Sequence, residues 1–149
     1  MLKFSIFLIF LFMISCESDS NLSAKEEADI ESYISKNKLV ITEKTSSGLR
    51  FIRTLANANG AVLKTGQYVT VKYAGRLLSD KQFDAGTFPF SLGVGQVVAG
   101  FDEGIAKLKV GEKGTLIFPS SLGYGSQGAG GDIKGNTPLI FEIEVLSAR

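Results

Sequence analysis

The sequence predicts an α+β protein: an antiparallel sheet with one short helix laid on it, and a further helix ahead of both. Three patterns carry that prediction. Apolar and polar residues alternate through residues 68–78 and again through 138–146, the period-2 signature of half-buried strands. From Val98 the spacing changes to +3, +4, +3 through Phe101, Ile105 and Leu108, which is one face of a helix. Nearer the N-terminus, Ile30, Tyr33 and Ile34 form a second helical stripe.

The chain opens with Lys3, an apolar run from Phe4 to Ile14, and then Ser15-Cys16. Eleven residues are too few to span a bilayer as a helix, which takes about 20. A basic start, a short apolar run and a small residue before the cut predict a secretory signal over residues 1–15. The stretch MISC places Cys16 where a bacterial lipoprotein signal resembling it carries the lipidated residue. The chain is therefore expected to be exported and lipid-anchored to a bacterial membrane, facing the periplasm or the cell exterior. The alternative is a plain secretion signal with an incidental cysteine. Since Cys16 is the only cysteine, no intramolecular disulfide can form.

Residues 16–22 are polar and predict a tether. Ser23 and Glu26 have the spacing of a capping box, so an amphipathic helix is expected over 23–37, with Asn37 as its left-handed stop. It would pack on the domain or space it from the membrane. LVITEK, SSG and LRFIRTL then follow as strand, turn and strand, and NANG (57–60) is turn chemistry. Next come the strand at 68–78, the short helix after Gly100, and β-rich runs at 113–119 and 138–146. In the helix Asp102 and Glu103 lie at the positive end, with Lys107 and Lys109 towards the other. The glycine-rich segment from Gly123 to Gly135 fits no regular element, and long loops in small domains are often functional.

Several chemistries are excluded. The chain has no histidine, so there is no Ser-His or Cys-His pair and no imidazole metal site. Gly123-Tyr124-Gly125 lacks the lysine and the strand-to-helix setting of a phosphate loop. Without residues 1–15 the charges balance at 15 basic and 15 acidic, interspersed, so no nucleic-acid partner is expected. No metal or cofactor is expected either. What remains is a set of aromatic rings at the ends of elements, where pockets are built, with Tyr124 standing apart in the glycine loop.

Six motifs in one order, VKYAG, KQFD, VVAGFDEGI, KVGEKG, LGYG and PLIFEIEVL, resemble the FKBP family of peptidyl-prolyl cis–trans isomerases, from about Gly48 to Arg149. The resemblance implies an isomerase domain over 46–149, with a bent antiparallel sheet wrapped around the short helix and an apolar pocket between them. It implies that Tyr73, Asp84, Phe101 and Tyr124 are catalytic. Phe101 would be the floor, where the family more often has tryptophan. Phe83, Phe88, Phe90, Val97, Val98, Ile133 and Phe141 would bind substrate. The Val98 N–H and the Tyr124 hydroxyl would hold substrate carbonyls, Asp84 would orient the Tyr73 hydroxyl, and Ile133 would close the loop side. The implied partners are proline-containing polypeptides and the family's macrolide inhibitors. The N-terminal signal and helix resemble extracytoplasmic bacterial members.

The chain departs from the family pattern in places. The loop DAGTFPF is several residues shorter than usual, which leaves Phe90 better aligned than Phe88. Ile133 is followed by Lys134-Gly135 instead of proline, which predicts a more mobile loop, and Ala129 opens a wall that bulkier residues usually fill. There is no inserted flap domain. Two functions follow as expectations: an isomerase assisting the folding of exported proteins, or a non-catalytic proline-binding module on the same scaffold.

Overall fold

The computed structural model describes residues 17–149, so the expected signal and Cys16 lie outside the described residues. Helix α1 (Glu17–Lys36) leads into strands β1 (Glu43–Lys44), β2 (Arg50–Leu55), β3 (Tyr68–Leu77) and β4 (Gln82–Ser91). Helix α2 (Ala99–Ile105), strand β5 (Lys113–Phe118), a 3-10 turn (Ser120–Leu122) and strand β6 (Leu139–Ala148) complete the chain. The strands form one antiparallel sheet in the order β1-β2-β5-β6-β3-β4. Among the described residues no helix is long and apolar enough to cross a membrane.

Alternation sorts the sheet into two faces. Leu116 and Phe118 of β5 and Leu139, Phe141, Ile143 and Val145 of β6 point inward, where Phe101, Ile105 and Leu108 meet them in the main core. Helix α2 can lie close because two of its residues have no side chain. A Cβ on Gly100 would sit 2.5 Å from the Phe118 ring, and one on Gly104 2.4 Å from Leu116. The outward residues Ile117 and Ile140 are covered by Ile30 and Ile34 of α1. So the N-terminal helix packs on the domain, with each buried isoleucine stabilising it by about 1.5–3 kcal/mol.

The structure corrects four expectations. Helix α1 starts at Glu17, so the segment expected as a tether is helical and Ser23 lies inside the helix instead of capping it. No glycine or proline interrupts residues 17–23, and extending a helix adds a hydrogen bond for each residue fixed. The left-handed residue at its end is Lys38 (φ 52°), not Asn37, whose side-chain amide donates to the Tyr33 carbonyl at 2.9 Å. The first expected strand shrinks to Glu43–Lys44, because Leu39 and Ile41 turn under α1 into the Ile30 cluster. Finally, the DAGTFPF segment is not a loop. It belongs to β4, an edge strand paired only with β3, where Pro89 is tolerated because one side of the strand needs no donor.

Candidate active site

A cleft of about 500 Å³ opens between α2, β3, β4 and the glycine loop, within the range of small-ligand sites. Strand β3 brings Tyr73 to it and β6 brings Phe141. Gly75, paired with both Asp84 and Phe141, lets the Phe83 ring fold over β3, since a Cβ there would lie 2.6 Å from that ring. The turn before α2 contributes Gln96, Val97 and Val98, and the helix itself contributes Phe101.

Phe101 is the hub of the aromatic set. Its ring meets Phe141 edge-on at 5.0 Å, Tyr73 edge-on at 6.0 Å and Phe90 at 5.8 Å between centroids. Phe83 caps Phe141 edge-on at 5.6 Å, and Phe118 stacks beneath it at 5.8 Å. Such pairs contribute about 0.5–1.5 kcal/mol each beyond their buried area. Phe101 is only 5% exposed, so a ring at the mouth of a two-turn helix is both core residue and cleft lining.

Of the residues singled out from the sequence, Tyr73, Phe83, Asp84, Phe88, Val97, Val98, Phe101, Tyr124 and Phe141 all border this cleft. Phe90 and Ile133 do not. Phe90 is buried behind Phe101, and Phe88, two residues earlier on the same face of β4, stacks on it at 6.0 Å and stands at the rim, 43% exposed. Both rings were expected to bind substrate; only Phe88 borders the cleft. Ile133 is buried in the main core and pairs with Ala129 through two backbone hydrogen bonds at 2.8 and 3.2 Å. Gln96 was missed in the sequence, although its place two residues before Val98 was the available signal. Its side-chain oxygen accepts the Ser91 N–H at 2.8 Å and ties the end of β4 to the turn.

The polar groups are few and oriented. The Tyr73 hydroxyl donates to Asp84 Oδ2 at 2.7 Å, while Asp84 Oδ1 accepts the Ala85 N–H at 2.9 Å. That hydrogen bond, then burial, then the negative charge of Asp84 push the Tyr73 phenol up to about 12, so it stays protonated at neutral pH. Val98 precedes the first turn of α2 with its carbonyl accepting from Phe101 and Asp102. Asp102 in turn accepts the Gly93 N–H at 2.7 Å and holds the preceding turn against the helix. Tyr124 borders the same cleft as an exposed residue. Among the described residues no group of three or more His, Cys, Asp or Glu side chains could hold a metal ion. This arrangement can enclose one apolar ring against Phe101, with Val98 and Tyr124 at its border.

The model of the FKBP-type peptidyl-prolyl cis-trans isomerase family matches residues 60–146. FK506-binding protein 2 of Dictyostelium discoideum is 49% identical over 88 residues, 56% of this chain and 66% of that protein. An FK506-binding protein of Neisseria meningitidis is 40% identical over 104 residues, 66% of this chain and 95% of its own length. Among solved structures, the crystal structure of FkpA from Escherichia coli superposes with a TM-score of 0.73 at 29% identity. That match covers 89% of this chain and 64% of the FkpA chain. The chain thus spans just under two thirds of both the Dictyostelium protein and FkpA.

Proposed function

Because the chain belongs to the FKBP-type peptidyl-prolyl cis–trans isomerase family, we propose that it accelerates rotation about X-Pro bonds and does so in the aromatic cleft. The observation that carries this reading is Phe101, a floor ring surrounded by Tyr73, Phe90 and Phe141, with Val98 and Tyr124 lining the same cleft. The chemistry needs no nucleophile, metal or titrating base. A prolyl peptide bond is planar through resonance and faces a barrier of roughly 18–20 kcal/mol. Unaided, it turns over in tens to hundreds of seconds.

The planar amide is more dipolar than the twisted transition state, which has lost the resonance. A pocket that replaces water by rings disfavours the planar form relative to the twisted one. The proline ring rests on Phe101, between Tyr73 and Phe141. The Val98 N–H and the Tyr124 hydroxyl hold the flanking carbonyls, so rotation occurs about one bond of a positioned chain. Asp84 keeps the Tyr73 hydroxyl turned towards itself, which fixes the ring at the border of the cleft.

The test is an isomerisation assay of the full chain on short X-Pro peptides. Wild-type protein is expected to turn over. Asp84→Ala is expected to lose about two- to tenfold, the equivalent of one hydrogen bond's 0.5–1.5 kcal/mol. A well-folded wild type silent towards every residue before proline would leave only proline binding without catalysis.

We further infer that Cys16 carries lipid and that the substrates are exported polypeptides rich in X-Pro bonds, with macrolides of the FK506 class as competing ligands. Stable anchoring takes more than one acyl chain, and helix α1 begins one residue after Cys16, which would hold the cleft close to the membrane. Cys16→Ser is expected to move the protein from the membrane fraction to the soluble one. Retention of that variant on membranes would exclude the anchor.

A further inference from the structure

Resting on the isomerase reading, we propose that Glu26, on the N-terminal helix, is a positioning residue for Tyr124. Glu26 is buried against the 3-10 turn that follows β5, far from the cleft in sequence. Its Oε2 accepts the Ser120 N–H and its Oε1 accepts the Ser120 hydroxyl, both at 2.6 Å. The Ser120 carbonyl then accepts two further hydrogen bonds, from the Gly123 N–H and the Gly125 N–H, both at 2.8 Å. Those two amides flank Tyr124. One carboxylate on α1 therefore fixes one serine, and that serine fixes the backbone on both sides of the tyrosine.

Tyr124 needs such support because it stands 38% exposed at the border of the cleft. Its backbone runs through Gly125 in the left-handed region (φ 59°), which favours glycine and where the chain has most freedom to lose. The far half of the loop hangs on the same anchor: Gly128 N–H donates to the Tyr124 carbonyl at 3.2 Å and Asn136 N–H to the Gly125 carbonyl at 2.8 Å. Glu26 itself cannot drift. Ile30 and Ile34 are buried one and two turns further along α1, and Glu27 and Glu31 grip Arg50.

A carboxylate buried on an amide and a hydroxyl is an expensive way to stabilise a fold, because desolvation offsets much of what the two bonds return. Its effect is better sought in geometry. A hydroxyl that must meet a substrate carbonyl tolerates little displacement, and shifts of about 1 Å far from the chemistry can cost rate.

The experiment compares the full-length wild type, Glu26→Ala, Glu26→Gln and Ser120→Ala, each alone and combined with Tyr124→Phe. Turnover and amide hydrogen exchange are both measured. Glu26→Ala is expected to lower kcat/KM about three- to tenfold, the range for a residue acting through intervening contacts. Glu26→Gln should recover most of that, since its amide can accept the Ser120 N–H and donate to the hydroxyl. In the Tyr124→Phe background the loss should vanish, as it must if both residues act through one hydroxyl. The Gly123 and Gly125 amides should exchange faster in Glu26→Ala while β5 and β6 keep their protection. Ser120→Ala, the milder lesion, should move the same two amides in the same direction and serves if Glu26→Ala does not fold. An undiminished loss in the Tyr124→Phe background, or unchanged exchange at Gly123 and Gly125, would overturn the proposal. A wild type without turnover would sink the isomerase reading alone, and the exchange data would still decide the role of Glu26.

Discussion

Replacing Phe101 by alanine is expected to remove the isomerase activity and to destabilise the protein by about 3–5 kcal/mol, the usual cost of deleting a buried phenyl ring. The two effects share a cause. Phe101 is 5% exposed and contacts the rings of Tyr73, Phe90 and Phe141, so its loss empties the centre of the aromatic set as well as the cleft floor. Neighbouring rings cannot refill the gap easily. Phe141 is held from below by Phe118, and Tyr73 is held by its bond to Asp84.

A domain of this size has about 5–15 kcal/mol of stability, so Phe101→Ala is paired with Phe101→Leu, which keeps most of the core volume while removing the ring. Leucine is expected to fold with a penalty of about 1–2 kcal/mol, read from the urea midpoint, because a hydrophobic change of shape at similar volume is among the tolerated core swaps. It should still lose most of its turnover, because the flat aromatic floor is gone. Phe101→Trp, the residue more common in the family, should retain activity. Folded leucine and alanine variants that turn over like the wild type would show that the proline does not rest on this ring.

What was legible in the sequence follows from burial. Strands β3, β5 and β6 alternate over much of their length because one face packs on the main core, and the inward facing of Tyr73 and Phe141 could be read from that, although Ile117 and Ile140 on the other face are buried too, under α1. Helix α2 was legible because Phe101, Ile105 and Leu108 all face one core. Strand β4 was not, because it is an edge strand exposed along most of its length, and its only organising force is the ladder to β3. No hydrophobic period records such a ladder. Without β4 the relation between Phe88 and Phe90 was not legible either: on a strand they share a face, and the one nearer the end of β4 falls into the core. Nor could the sequence reveal what α1 grips. Glu26 has the spacing of a capping residue, yet its carboxylate is taken by Ser120, 94 positions away.

The grip of α1 on Arg50 leads to the second large expected effect, an asymmetry between the two sides of one ion-pair cluster. Arg50 has no solvent exposure, and its Nη2 donates to Glu27 and to Glu31, while Nη1 donates to the Gly48 carbonyl at 2.6 Å. The two glutamates are about half-exposed and also meet Lys44 at 2.6 and 3.3 Å. Removing both carboxylates with Glu27→Ala and Glu31→Ala strands a buried guanidinium, which costs about 3–5 kcal/mol. Removing the guanidinium with Arg50→Met leaves two carboxylates that water and Lys44 still reach, and an unbranched side chain in the space. That should cost about 1 kcal/mol, in the range of an exposed ion pair.

Acid separates the variants further. The hydrogen bonds from Lys44 and then Arg50 hold Glu27 below its ordinary 4.5, and those from Arg50 and then Lys44 do the same for Glu31. A carboxyl whose folded pKa is depressed contributes stability that is present above its unfolded value and lost as pH falls through the folded one. Wild-type protein should therefore lose stability on going from neutral pH to below 4.5, and the double glutamate variant should lose less over the same interval because it has already lost these groups. Urea midpoints at the two pH values measure both effects. An Arg50→Met cost equal to that of the double glutamate variant would mean that the bonds of the guanidinium themselves, rather than the penalty of leaving it buried and unpaired, tie the N-terminal helix to the sheet.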